Sequence, residues 1–170
     1  MTWDLSAEGV ELLRRAAKEP LLPPVEREKG PFLDRAAVEA LLPHRDPFLL
    51  VDRVTRLDLE RGIVVARYDL GRAGAVLAGH FPGRPVWPGV LQVEAMAQAG
   101  GLLHLARTGL SGAEGAALTH IFAARFLRPV TPGGELEIIA HLWEEGLLLT
   151  VVGQCLHHNK ICSVAAVAIL

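Results

Sequence analysis

The chain has only two cysteines, Cys155 and Cys162, in 170 residues. Two cannot build a disulfide framework, and their spacing makes no paired metal-ligand motif, so a reducing cytoplasm is the expected setting. An excess of one charge is missing too: 17 basic and 19 acidic residues leave a formal net charge of −2. No basic field argues for nucleic acid, and no acidic run suggests a disordered tail. Long uncharged runs are absent, although 51% of the residues are apolar. Pro88 to Leu105 comes closest, but Glu94, Gln98 and His104 break it, and a membrane span needs roughly 18–20 apolar residues. The opening "MTWDLSAEGVELLRR" lacks the basic start and apolar block of a secretory signal. The expectation is one soluble domain with a sizeable core, its most apolar helix buried within protein or at an oligomer interface.

Residues 5–19 set Leu5, Val10, Leu12 and Leu13 against Glu8, Glu11, Arg14 and Arg15. That is an amphipathic helix, with Asp4 or Ser6 as its cap. The prolines of "PLLPPVEREKGP" forbid its continuation. Residues 1–30 therefore read as a helical extension and a semi-rigid proline-rich linker, ahead of a main domain over 31–170. Asp34 suits the cap of a short helix, "RAAVEALL", closed by Pro43. "FLLVDRVTRLDLE" and "IVVARYDL" read as strands joined through Gly62, and "GRAGAVLAG" as a flexible connection. A long apolar helix then ends near Gly109, followed by a connection containing glycines 109, 112 and 115. Strands are expected at about 117–128, 135–144 and 147–157, the last two joined through "EEG". A final strand, "ICSVAAVAIL", follows "HHNK". The order is α+β: an antiparallel sheet against one central helix.

The chemistry concentrates in "GHFPGRPVWPGVLQVEAMAQAGG". Prolines 82, 85 and 88 recur every third residue; each fixes its own φ and extends the residue before it. The loop can hold His80 in one place. Pro88 suits a first helical turn, and the backbone N–H of Gly89 lies where a helix start offers donors to an oxyanion. Glu94 follows about one and a half turns into the helix, with Gln98 one turn further on the same face. Desolvation favours the neutral form of a carboxyl, which a general acid needs, and a neutral imidazole can act as base. A base, an acid and an oxyanion site suit proton abstraction next to a carbonyl with loss of a β-hydroxyl. A structural histidine in a loop and a glutamate paired with an arginine explain the same residues, and chemistry alone leaves both readings open.

Three blocks resemble the β-hydroxyacyl-acyl carrier protein dehydratases of type II fatty acid synthesis: "LLPHRDPFLLVDRV" (41–54), "GHFPGRPVWPGVLQVEAMAQAG" (79–100) and "RFLRPVTPGGEL" (125–136). The resemblance implies the hotdog fold, an antiparallel sheet wrapped around a long central helix. It makes His80 the base for the α-proton and Glu94 the acid for the departing hydroxyl. The Gly89 N–H would bind the thioester oxygen, and the Val86 carbonyl would orient the His80 ring. It further implies an acyl tunnel at Phe81, Trp87, Val90, Met96 and Gln98. In that family the site is shared between subunits, which implies a homodimer at minimum here and allows a trimer of dimers. No cofactor is implied beyond the phosphopantetheine arm that carries the substrate, and no metal. Departures stand at "AGAVLAGH", where the family often has Asn-Glu and two aromatics, and at Trp87, where Met is frequent. They point to a reshaped tunnel or gate.

Acyl carrier proteins are acidic, so Arg84, Arg125 and Arg128 are the candidate docking residues. Tyr68, the only tyrosine, suits either the site or a strand position. Cys155, His157, His158 and Cys162 are the only metal-like cluster, and strand packing explains them better: a turn centred on His158–Asn159 sets the two cysteines opposite each other. His44 and Asp46 read as structural. Two rivals remain, a hotdog thioesterase and a non-catalytic acyl-binding or dimerisation subunit.

Overall fold

A computed structural model of the chain describes residues 4–30, 32–110, 117–145 and 148–170. Glycines 112 and 115, and Gly146 of the "EEG" turn, lie outside the described residues. Helix α1 (Ala7–Ala16) starts where the Ser6 hydroxyl accepts the Gly9 N–H. It stops short of the expected residue 19, because Pro20 disfavours helical geometry in the residue before it. Helix α2 (Arg35–Leu41) is capped by Asp34, whose carboxylate accepts the Ala37 N–H at 2.9 Å. Strand β1 (Arg53–Asp58) begins five residues later than the sequence suggests. The Leu49 N–H goes to the Arg45 carbonyl and the Leu50 N–H to the Gln98 side chain, so neither serves a ladder.

Strand β2 (Ile63–Asp69) leads into a 3-10 turn (Leu70–Ala73) and helix α3 (Gly74–Gly79). The expected flexible connection is therefore helical. Leu70, Ala73 and Leu77 bury one face of it, a helical spacing that the glycines around them obscure. Helix α4 (Gly89–Thr108) is capped by Pro88 and ends at Gly109 with φ +71°. Strands β3 (Leu118–Phe126), β4 (Glu135–Glu145), β5 (Leu149–His157) and β6 (Lys160–Ile169) complete the chain. All neighbours in the six-stranded sheet are antiparallel, in the order β1-β2-β4-β5-β6-β3.

Helix α4 lies across one face of the sheet, with Ala95, Met96, Ala99, Leu102 and Leu103 in the core. Glycines permit the approach. A Cβ on Gly153 would sit 2.6 Å from the Met96 Cβ, and one on Gly100 would sit 2.5 Å from Val151 Cγ2. The Met96 Cβ is fixed to the helix backbone and cannot swing away. Gly153→Val is therefore expected to cost about 1–3 kcal/mol or more through overpacking. Gly74→Ala, which meets nothing within 4 Å, is the control and should stay within about 0.5 kcal/mol. Thermal unfolding of the two variants checks this.

The opposite face is covered as well. Leu12, Leu13, Ala16 and Leu22 pack on Ile63, Val65, Ile139, Val152, Leu156, Ile161, Val164 and Ala166. The proline-rich stretch expected as a tether thus lies on the sheet, held by buried polar links. Gln154, with no solvent exposure, accepts the Leu21 N–H and donates to the carbonyls of Ala16 and Glu19. Arg27, 3% exposed, donates to the Leu22 carbonyl at 2.9 Å and to Glu137 Oε1 at 2.6 Å. Arg67 meets the other Glu137 oxygen at 2.6 Å. Cover on both faces explains why "ICSVAAVAIL" shows no alternation of apolar and polar residues.

Candidate active site

His80 closes α3, its N–H donating to the Val76 carbonyl at 3.0 Å. Its Nδ1 lies 2.7 Å from the Val86 carbonyl oxygen. A carbonyl only accepts, so Nδ1 carries a proton, and in the neutral ring Nε2 has the lone pair. The Val86 N–H returns to the His80 carbonyl at 2.7 Å, and Phe81 and Arg84 exchange a further backbone pair. These bonds and the prolines fix the loop. The Phe81 ring stacks on His80, with centroids 4.0 Å apart.

His80, Val86, Trp87, Gly89, Val90, Phe126 and Arg128 help to line a cavity of about 390 Å³. Gly89 opens α4, so its N–H has no carbonyl one turn back within the helix. A Cβ there would lie 2.6 Å from the Phe126 ring; glycine lets that ring reach the helix start. Of the five expected tunnel residues, Trp87 and Val90 line this cavity. Phe81 is 56% exposed and lies beside it. Met96 does not line this cavity: it is fully buried against Gly153 on the sheet side of α4. Gln98 is also elsewhere, beside Glu94.

Glu94 Oε1 accepts from Gln98 Nε2 at 2.9 Å. Gln98 is itself fixed, donating to the Phe48 carbonyl and accepting the Leu50 N–H, both at 2.8 Å. Glu94 lines a second, very small crevice with Leu42, His44, Gln98, Leu118 and Ile169. The two cavities share no lining residue. Within one chain, His80 and Glu94 thus face different spaces.

His44 was missed as a neighbour of the site. Its Nε2 is 3.6 Å from Glu94 Oε1, a proximity made by tertiary packing across 50 residues of chain. Asp46 pairs with Arg35 and Arg72, as a structural residue should. Arg84 and Arg125 are exposed, while Arg128 lines the larger cavity and donates to the Ile161 carbonyl at 2.7 Å. Tyr68 lines neither cavity; it is buried against Trp87, and burial pushes its hydroxyl up.

The turn does centre on His158 and Asn159, both at positive φ. A bulge next to Cys155 then shifts the register, so Cys155 faces Ser163 rather than Cys162. Burial pushes both thiols up, which keeps them protonated and inert. Among the described residues, no three His, Cys, Asp or Glu side chains converge on a metal position, and no helix is long and apolar enough to cross a membrane.

The sequence matches the profile of the FabA-like domain over residues 42–157. A 3-hydroxyacyl-acyl-carrier-protein dehydratase FabZ from Protochlamydia amoebophila is 40% identical over 141 residues, 79% of this chain and 87% of that protein. A dehydratase of the same name from an Anaeromyxobacter species is 43% identical over 117 residues, 66% of this chain and 73% of that one. Among solved structures, the dehydratase heterocomplex ApeI:P from Xenorhabdus doucetiae is similar at a TM-score of 0.58 and 22% identity, over 78% of this chain and 88% of that one. The TT0310 protein from Thermus thermophilus is similar at 0.52 and 18%, over 74% and 97%. Those two likenesses speak for the fold alone. The antiparallel sheet around the long helix α4 is a hotdog fold, and by its sequence the chain belongs to the FabA-like domain family, among the 3-hydroxyacyl-acyl-carrier-protein dehydratases.

Proposed function

We propose that the protein is a hydro-lyase that converts (3R)-3-hydroxyacyl-acyl carrier protein to the trans-2-enoyl form in fatty acid biosynthesis. The observation that carries the mechanism is the 2.7 Å contact between His80 Nδ1 and the Val86 carbonyl, which leaves Nε2 as the base. His80 Nε2 takes the α-proton, and the C–H electron pair becomes the Cα–Cβ double bond. The C–O bond breaks toward oxygen, which takes the proton of Glu94 and departs as water. The Gly89 N–H at the start of α4 meets the charge that develops on the thioester oxygen. Proton exchange with solvent then restores neutral His80 and protonated Glu94.

Two chains make one site in this reading. The separate cavities of His80 and Glu94 support it, since neither is complete alone. The partner suits the open edge of β3, where Ile121 and Phe126 are 48% and 54% exposed, next to Val90 at 71%. A homodimer would bury these and bring His80 toward the partner's acid. The substrate arrives on the phosphopantetheine of an acidic carrier protein, for which Arg84, Arg125 and Arg128 lie on or beside the loops of the larger cavity. No further cofactor enters the chemistry. Two free, buried thiols suit a cytoplasmic setting.

Mass spectrometry of a 3-hydroxyacyl-carrier thioester tests the reaction. Loss of one water, absent with His80→Ala and with Glu94→Gln, is the expected outcome. Free acid with release of the carrier thiol would make the protein a thioesterase, and tight binding without turnover would make it an acyl-binding subunit.

A further inference from the structure

The Glu94 carboxyl is asymmetric. Oε1 takes the Gln98 amide and faces His44 Nε2, whereas Oε2 has no partner among the described residues. Donors directed at one oxygen leave the proton to the other. Oε2 is thereby reserved as the atom that gives up a proton. His44 is held beside it by tertiary structure: its ring stacks on Phe48, and the same Phe48 carbonyl anchors Gln98. The neighbouring cation, Arg45, turns away to the carbonyls of Leu42 and His44.

His44 Nδ1 is buried and has no hydrogen-bond partner among the described residues. A proton there would bury an unpaired N–H, an arrangement that folded proteins avoid. The neutral ring accordingly carries its proton on Nε2, the nitrogen directed at Glu94. At 3.6 Å the pair is just beyond hydrogen-bonding distance, and it tightens once Glu94 becomes a carboxylate, because a charged acceptor draws the donor in.

We propose that His44 is a positioning residue for Glu94: its Nε2–H, with the Gln98 amide, fixes Oε1, keeps the reactive proton on Oε2 and stabilises the carboxylate left when the hydroxyl departs. This rests on the acid role given to Glu94 above. It also gives "PHRDPF" a part in the chemistry beyond leading into the first strand.

A pair of substrates separates this role from a structural one. A 3-hydroxyacyl thioester needs an acid for its leaving group. The 3-fluoro counterpart does not, since fluoride leaves with the C–F electron pair and no proton. His44→Leu is expected to lose about 10- to 100-fold in kcat on the hydroxy substrate, part of what a general acid contributes, and only about twofold on the fluoro substrate. His44→Gln, whose Nε2 can reach the same oxygen, should recover most of that loss. Glu94→Gln should show the same selectivity with a larger loss. Equal losses on both substrates for His44→Leu, or no loss at all, overturn the positioning role. Equal losses for Glu94→Gln overturn the acid role itself, and the two failures are thus told apart. If His44→Leu does not fold, His44→Asn, whose amide is too short to reach Oε1, replaces it with the same expected selectivity.

Discussion

A His80→Ala chain and a Glu94→Gln chain, each nearly inactive alone, should regain activity when they are co-expressed and form mixed dimers. In the proposed mechanism each substitution removes a group that moves a proton, so each is expected to lower kcat by about 10²- to 10⁴-fold. In a mixed dimer, one site keeps His80 from the Glu94→Gln chain and Glu94 from the His80→Ala chain, while the other site has neither. Random pairing in equal amounts makes half of the dimers mixed, so about a quarter of the wild-type activity should return. The separation of the two cavities within one chain is the reason to expect this. A mixture shown to contain mixed dimers, yet no more active than its components, would place both groups of a working site on one chain.

Glu137→Leu should produce the largest change in stability. Glu137 is 4% exposed and Arg27 is 3% exposed, and the substitution leaves the Arg27 guanidinium buried with the Leu22 carbonyl as its side-chain partner. Removing one member of a buried pair costs about 3–5 kcal/mol, and for a chain of this size each kcal/mol lowers Tm by about 2–4 °C. A fall of about 10 °C or more is therefore expected in thermal unfolding. The double variant Arg27→Met with Glu137→Leu should be more stable than Glu137→Leu alone, because no fully buried charge is then stranded and Arg67 keeps Glu28. Glu137 shares the outer face of β4 with Ile139 and lines neither cavity, so kcat of the folded protein should not change. An unaltered Tm would mean that the Arg27–Glu137 pair adds nothing to the hold on the N-terminal segment.

What could be read from the sequence follows how local the cause is. Asp34 capping α2, Pro88 opening α4 and Gly109 closing it are effects of neighbouring residues, and all three stand in the structure. The hold of Val86 on His80 spans six residues, and the family motif supplied it. The misses are tertiary. The late start of β1 depends on a Gln98 side chain 48 residues from Leu50. The Cys155–Ser163 register turns on a bulge that no periodicity announces. Which side of the apolar α4 meets the sheet is also tertiary: Gly153, opposite Met96, marks it. His44 next to Glu94 belongs with these, since no local pattern links a loop before β1 to the second turn of α4.

The cover of the outer sheet face has a consequence for synthesis. Helix α1 packs on β5 and β6, so it rests on strands that are synthesised long after it. The surface that receives its apolar side, with Leu12, Leu13 and Ala16, is incomplete until residues 149–169 have been made. Chains emerge N-terminus first, and contacts this distant in sequence close late. An amphipathic helix therefore waits in the nascent chain for strands made much later, and its docking follows their addition to the sheet.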